Sequence, residues 1–128
     1  MRPSNNPINF GTYAAPSLTP SVSASLASIA QWATDIVRAS FQVVITGSAN
    51  GSLQVQFSND FAVGTPRNTF QPTNWNNIGN AIFVSGAGSY ALPSVECSYE
   101  YIRVIYTDSS NGTATGSITS ARICAKGL

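Results

Sequence analysis

Residues 38–60 read RASFQVVITGSANGSLQVQFSND, and their pattern decides the fold class. Phe41, Val43 and Ile45 alternate with Gln42, Val44 and Thr46; further on, Leu53, Val55 and Phe57 alternate with Gln54, Gln56 and Ser58. Side chains along a strand project to opposite faces, so a period of two describes β-strands with one apolar face each. Gly47-Ser48-Ala49-Asn50-Gly51 separates the arms, and Asn-Gly supplies the positive φ that tight turns require. The expectation is a β-hairpin with its arms folded back on each other. It is a scaffold signal and carries no chemistry.

Toward the C-terminus, the passage from Asn59 to Gly79 is polar and holds Pro66 and Pro72. A connection of that length without regular structure is usually functional or an interface. Within it, Thr73-Asn74-Trp75-Asn76-Asn77 places a tryptophan among amides. Such a ring either closes the open end of the core or offers a stacking platform, so Asn74, Trp75 and Asn76 are the candidate ligand or interface residues. Ala81–Ser85 and Ser89–Leu92 read as a compact hairpin around Gly86-Ala87-Gly88. The run SYEYIRVIYT at 98–107 is apolar on both faces, as expected of a central strand or one whose outer face is covered. Asp108-Ser109-Ser110-Asn111-Gly112 is the next turn. In the closing strand, Thr113–Ala125, Ile118 and Ile123 have opposite parity, which a bulge between them would repair.

Toward the N-terminus, Ser21–Trp32 is ambiguous: Val22, Leu26, Ile29 and Ala30 fit helical spacing, while the serines and β-branched residues favour irregular structure passing into a strand. Residues 1–20 contain four of the seven prolines and can form neither a helix nor an internal strand. The expectation is an extended arm over residues 1–25 and a β-sandwich domain over 26–128. Phe10 and Tyr13 are the arm's apolar anchors and its candidate assembly contacts; a floppy terminus is the other reading.

Composition narrows function mainly by exclusion. Only 9% of the 128 residues are charged, against about 25% in typical soluble domains. The net charge of +1 and the scattered basic residues leave no phosphate-tracking stripe, so no nucleic-acid partner is expected. No membrane-spanning segment and no secretory leader is evident in the sequence, and export is not expected. Weak self-repulsion makes association with other protein surfaces natural, and a homo-oligomer or symmetric array is expected. Histidine is absent, which excludes any histidine-dependent triad. Glu96 and Glu100 would stand ~13 Å apart along a strand, too far for paired-carboxylate hydrolysis. Asp60 and Asp108 suit turn capping. Cys97 and Cys124 show no metal spacing; they could form one bridge, and otherwise read as two small reduced core residues. Catalytic, cofactor and metal sites are all expected to be absent.

Seven or eight short strands punctuated by turns indicate an all-β, antiparallel, jelly-roll-like β-sandwich. With the strands laid out, an ordered set of motifs stands out: Gln56-Phe57-Ser58-Asn59-Asp60, Asn74-Trp75, Arg103-Val104-Ile105-Tyr106-Thr107, and Lys126-Gly127. Over residues 38–127 this resembles small β-sandwich structural proteins of tailed bacteriophages. Phe57 and Ile45 depart from the residues common at those positions, and the cysteines are not part of the pattern. The resemblance implies a non-enzymatic virion component made in the bacterial cytoplasm. Such a capsid decoration (cement) protein, or accessory head or tail subunit, would have other virion proteins as its partners. The alternative function is a host-glycan-binding module of a head fibre or tail that uses the Trp75 loop.

Overall fold

The computed structural model describes residues 4–11, 16–33, 36–66, 69–97 and 99–126. Strands form where the alternation is strongest. In order they are β1 (Ser4–Pro7), β2 (Phe10–Gly11), β3 (Pro16–Ser17), β4 (Leu26–Ala27), β5 (Gln31–Trp32), β6 (Arg38–Ile45), β7 (Asn50–Ser58), β8 (Asn76–Ser85), β9 (Gly88–Glu96), β10 (Tyr101–Asp108) and β11 (Ile118–Lys126). One sheet has the order β1-β11-β6-β9; the other has β4-β10-β7-β8, with β5 also on β10. Every pairing in the two sheets is antiparallel. With β2 and β3, which form a separate two-stranded sheet, left out and β4 and β5 counted as one strand, the sheets read 1-8-3-6 and 2-7-4-5, the double Greek-key order of a jelly roll.

The expected hairpins are not hairpins. β6 pairs with β11 and β9, whereas β7 pairs with β10 and β8, so the 46–49 segment is an arch from one sheet to the other. The β8–β9 and β10–β11 connections are arches as well. Alternation says which face of a strand is apolar but not which strand lies beside it. Facing the two apolar sides across a core buries both. Asn50 and Gly51 accordingly open β7, opposite Ser85 and Val84, and the positive φ falls at Gly47.

The three arches lie side by side. Thr46 and Ser48 donate their N–H groups to Ser117 O and Thr115 O, each at 2.9 Å, and Gly86 N–H reaches Ala49 O at 2.7 Å. At the closest point Gly47 (φ 85°) meets Gly116 (φ 98°). A Cβ on Gly47 would collide with the Thr115 carbonyl, and one on Gly116 with the Thr46 carbonyl.

The core between the sheets holds Phe41, Val43, Ile45, Leu53 and Val55, inward as expected, with Ile102, Val104 and Ile123 in the same cluster. Phe57, expected on the same face as Val55, is only half-buried, lies outside the cluster and stacks on Tyr99. The expected bulge is present between Ile118 and Ser120, and both isoleucines reach the core. Cys97 is buried as expected. Cys124 instead points outward, because it has the opposite parity to the buried Ile123 and Ala125, and both thiols are free.

The N-terminal segment is extended, as expected, but it is part of the sandwich. Ser4–Pro7 pair with Ala125–Arg122 as an edge strand, a position that tolerates proline. Ile8, Phe10 and Val22 are fully buried in the same cluster. Phe10 therefore fills this chain's own core and is withdrawn from any neighbour; Tyr13 lies outside the described residues. The ambiguous 21–32 stretch forms no helix. Ser28 instead exchanges hydrogen bonds with Val104, its N–H donating to Val104 O and its Oγ accepting from Val104 N–H, each at 2.9 Å.

The glycine contact generates the first prediction. Gly47→Ala or Gly116→Ala forces a left-handed residue into a backbone collision and should cost at least about 2 kcal/mol. In a thermal melt this corresponds to a drop of roughly 8 °C or more, whereas Gly64→Ala, left-handed too (φ 73°) but meeting nothing within 4 Å, should cost only the left-handed strain of about 1 kcal/mol.

Candidate functional site

The candidate residues gather on the outer face of the second sheet. Register places Gln56 of β7 between Arg103 of β10 and Asn77 of β8. Arg103 donates through Nε and Nη2 to Gln56 Oε1 at 3.0 and 2.8 Å, and Gln56 Nε2 donates to Asn77 Oδ1 at 3.0 Å. A polar ladder thus crosses three strands. Trp75 covers one end of it: the Arg103 guanidinium carbon lies 4.2 Å from the ring centroid, a cation–π contact. Burial draws the Arg103 pKa below its usual value, although an arginine remains charged. The Trp75 Nε1–H donates to Pro72 O at 3.0 Å. The half-buried tryptophan therefore packs on the outside of a sheet, not over the open end of the core.

The loop before it has a closed neck. The Asp60 carboxylate accepts from Thr73 N–H at 2.9 Å, Asn74 N–H at 3.0 Å and Asn74 Nδ2 at 3.1 Å. Asp60 N–H donates in turn to Ser58 Oγ at 3.1 Å. Joined ends of this kind make the passage an Ω-loop folded back on the sheet. Phe70 leans on Tyr101 with ring centroids 5.7 Å apart, and Tyr101, on the outer face of β10, is only 1% exposed. The doubly apolar reading of this strand is explained by that cover. On the loop's other limb Phe61 and Val63 are 64% and 79% exposed.

The structure thus brings Asn74 and Trp75 together with Asp60, Gln56 and Arg103, residues that the ordered motifs contain without showing that they touch. Asn74 is committed to the neck. Asn76 is exposed and opens β8 opposite Phe57, so regular structure begins earlier than the expected loop end at Gly79. Cross-strand register is the signal that unites Gln56, Asn77 and Arg103, and it becomes visible only once the strands are paired.

No protein-family model matches the sequence, and no curated protein is significantly similar to it. Among solved structures, the crystal structure of PirA is similar over 98% of this chain and 94% of its own, with 15% identity and a TM-score of 0.49.

Chemically, the site can stack and hydrogen-bond. Among the described residues no three His, Cys, Asp or Glu side chains come together as metal ligands. Glu96 is exposed and lies 3.7 Å from Arg38. On the outer face of the first sheet, Gln42, Pro93, Arg122 and Cys124 help line a shallow depression of about 360 Å³.

Two carboxylates carry a pH dependence. The Asn74 and Thr73 N–H groups hold Asp60 below the ordinary aspartate range, and the Ser110 hydroxyl and N–H do the same for Asp108. A carboxyl with a lower pKa folded than unfolded stabilises the fold above its unfolded value, about pH 4, and loses that contribution as pH falls through the folded value. Melting temperatures from pH 7 to pH 2 should therefore decline below about pH 4. The double variant Asp60→Asn/Asp108→Asn should melt lower at neutral pH and show a shallower acid decline.

Proposed function

We propose that the chain is a non-enzymatic structural subunit of a tailed-phage particle, a decoration or accessory head or tail protein that binds neighbouring virion proteins through its low-charge surface. The observation that carries this reading is the pairing of that surface, with 9% charged residues overall, with large exposed apolar side chains, among them Phe61, Val63 and Phe83. Such a surface suits a chain that spends its life against other proteins. The ordered motifs over residues 38–127 support it. So does the jelly-roll order, which recurs in viral capsid domains, although fold analogy alone does not assign function. Because Phe10 is in the core, the contacts fall to the body and the Ω-loop. Repeated copies on a symmetric particle would multiply weak contacts.

Purified phage particles assembled with the tagged chain provide the test. The chain should sediment with the particles, and Phe61→Ser/Val63→Ser should lower its incorporation by about tenfold with the melting temperature kept. A chain that stays in the soluble fraction overturns the proposal.

A second reading, binding of a host glycan, draws on Trp75 and the exposed amide of Asn76 beside it, Asn74 and Asn77 being exposed but bonded to Asp60 and Gln56. A glycan array probed with the wild-type chain discriminates. Binding abolished by Trp75→Ala in a folded protein supports the glycan reading, and an array with no binding removes it.

A further inference from the structure

The edges of the two sheets are not alike. In the first sheet, β1 has four residues and ends at Pro7, and β9 carries Pro93 and Glu96. In the second sheet, one edge is formed by the two-residue strands β4 and β5. These are the ordinary means of blunting an edge: short strands, proline and charge. β8, the other edge of the second sheet, runs for ten residues, Asn76–Ser85, as NNIGNAIFVS, with neither proline nor charge. Its one irregularity is at Gly79, φ 68°, where the register against β7 shifts between Ile78 and Ile82. Gly79, Asn80 and Ala81 together oppose Gln54, so the strand is regular from Ile82 onward, and Phe83 on its outer face is 84% exposed.

The backbone of this stretch faces solvent in a definite pattern. Ser85 lies opposite Asn50, and Gly86 N–H bonds to Ala49 O, so Ser85 occupies a position that does not hydrogen-bond to β7. Its N–H turns to the free edge instead and donates to Tyr90 Oη at 3.1 Å. By alternation the N–H and C=O of Phe83 face the same edge, and Ala81 has no register partner on β7.

We propose that the 80–85 stretch of β8 is a self-association edge, on which a second copy of this chain adds its own β8 antiparallel to make one continuous sheet across a two-fold axis. The occupant follows from chemistry. Open backbone groups select an extended strand, and a wholly neutral strand meets itself without placing like charges opposite one another. A two-fold axis at Ile82 sets Ala81 against Phe83 of the second copy, and the reverse, so that each pair exchanges both backbone hydrogen bonds and each phenyl ring lies beside a methyl group. The inference rests on the edge strand alone and is independent of the virion reading.

Sedimentation velocity on the full chain, from about 1 to 100 µM, tests it across the range of ordinary protein affinities. The wild type should populate a dimer. Phe83→Lys, which puts a charge on the edge, and Ala81→Pro, which removes an edge N–H without breaking a β7 bond, should both be monomers with wild-type circular dichroism. Amide exchange on the wild type gives a reading that needs no variant: the Ala81 and Phe83 amides should slow by roughly tenfold or more as concentration rises into the dimer range. A wild type that is monomeric throughout, a dimer that persists in both variants, or exchange at these two amides that does not depend on concentration would each overturn the proposal.

Discussion

The structure depends on one close approach of backbone to backbone. Gly47 and Gly116 touch where two arches run side by side, and neither can carry a side chain there. An arch spaced outward by even one methyl group would pull Thr46 and Ser48 away from the Ser117 and Thr115 carbonyls they bond. Those bonds extend the β6–β11 ladder over the end of the sandwich, so the arches act as a third layer that holds the two sheets at their packing distance. Gly51 repeats the device on a smaller scale, where a Cβ would strike the Thr107 carbonyl of the neighbouring strand.

Strand position and facing were legible in the sequence because they depend on local alternation. Phe41, Val43, Ile45, Leu53 and Val55 turn inward as read, and the opposite parity of Ile118 and Ile123 located a bulge. Partnership was not legible. Gly47–Gly51 has the composition of a hairpin turn, and nothing in those residues states that the chain is crossing between layers. The same gap concealed the role of the N-terminal segment. Its prolines exclude an internal strand, but they do not exclude an edge; Ile8 finds its place beside Ala121, to whose carbonyl its N–H donates, and Phe10 beside Ser28.

The candidate site divides in the same way. Trp75 stands out in the sequence because a large ring among asparagines is conspicuous. Arg103 and Gln56 look like unremarkable outward strand residues until register makes them neighbours. The Ω-loop then does two jobs: it shields Tyr101 and the inner end of the ladder from water, and it leaves Phe61 and Val63 outside. Asp60 sits at the hinge between these roles, since its carboxylate closes the neck without being buried.

The pairing of Ser4–Pro7 with Arg122–Ala125 sets an order of events. β1 pairs with β11, the last of these strands, and among the consecutive long strands described β7 and β8 alone share a layer and a ladder. The β7–β8 pair is the two-strand unit that sequence neighbours can form early; the other ladders join strands farther apart in the chain, and contacts this distant make folding slow. The N-terminal strand must wait unpaired, with Ile8 and Phe10 exposed, until translation has delivered β11. Pro7 then acquires a kinetic meaning: it stiffens the waiting strand and offers no N–H to a ladder, which makes β1 a poorer template for premature pairing.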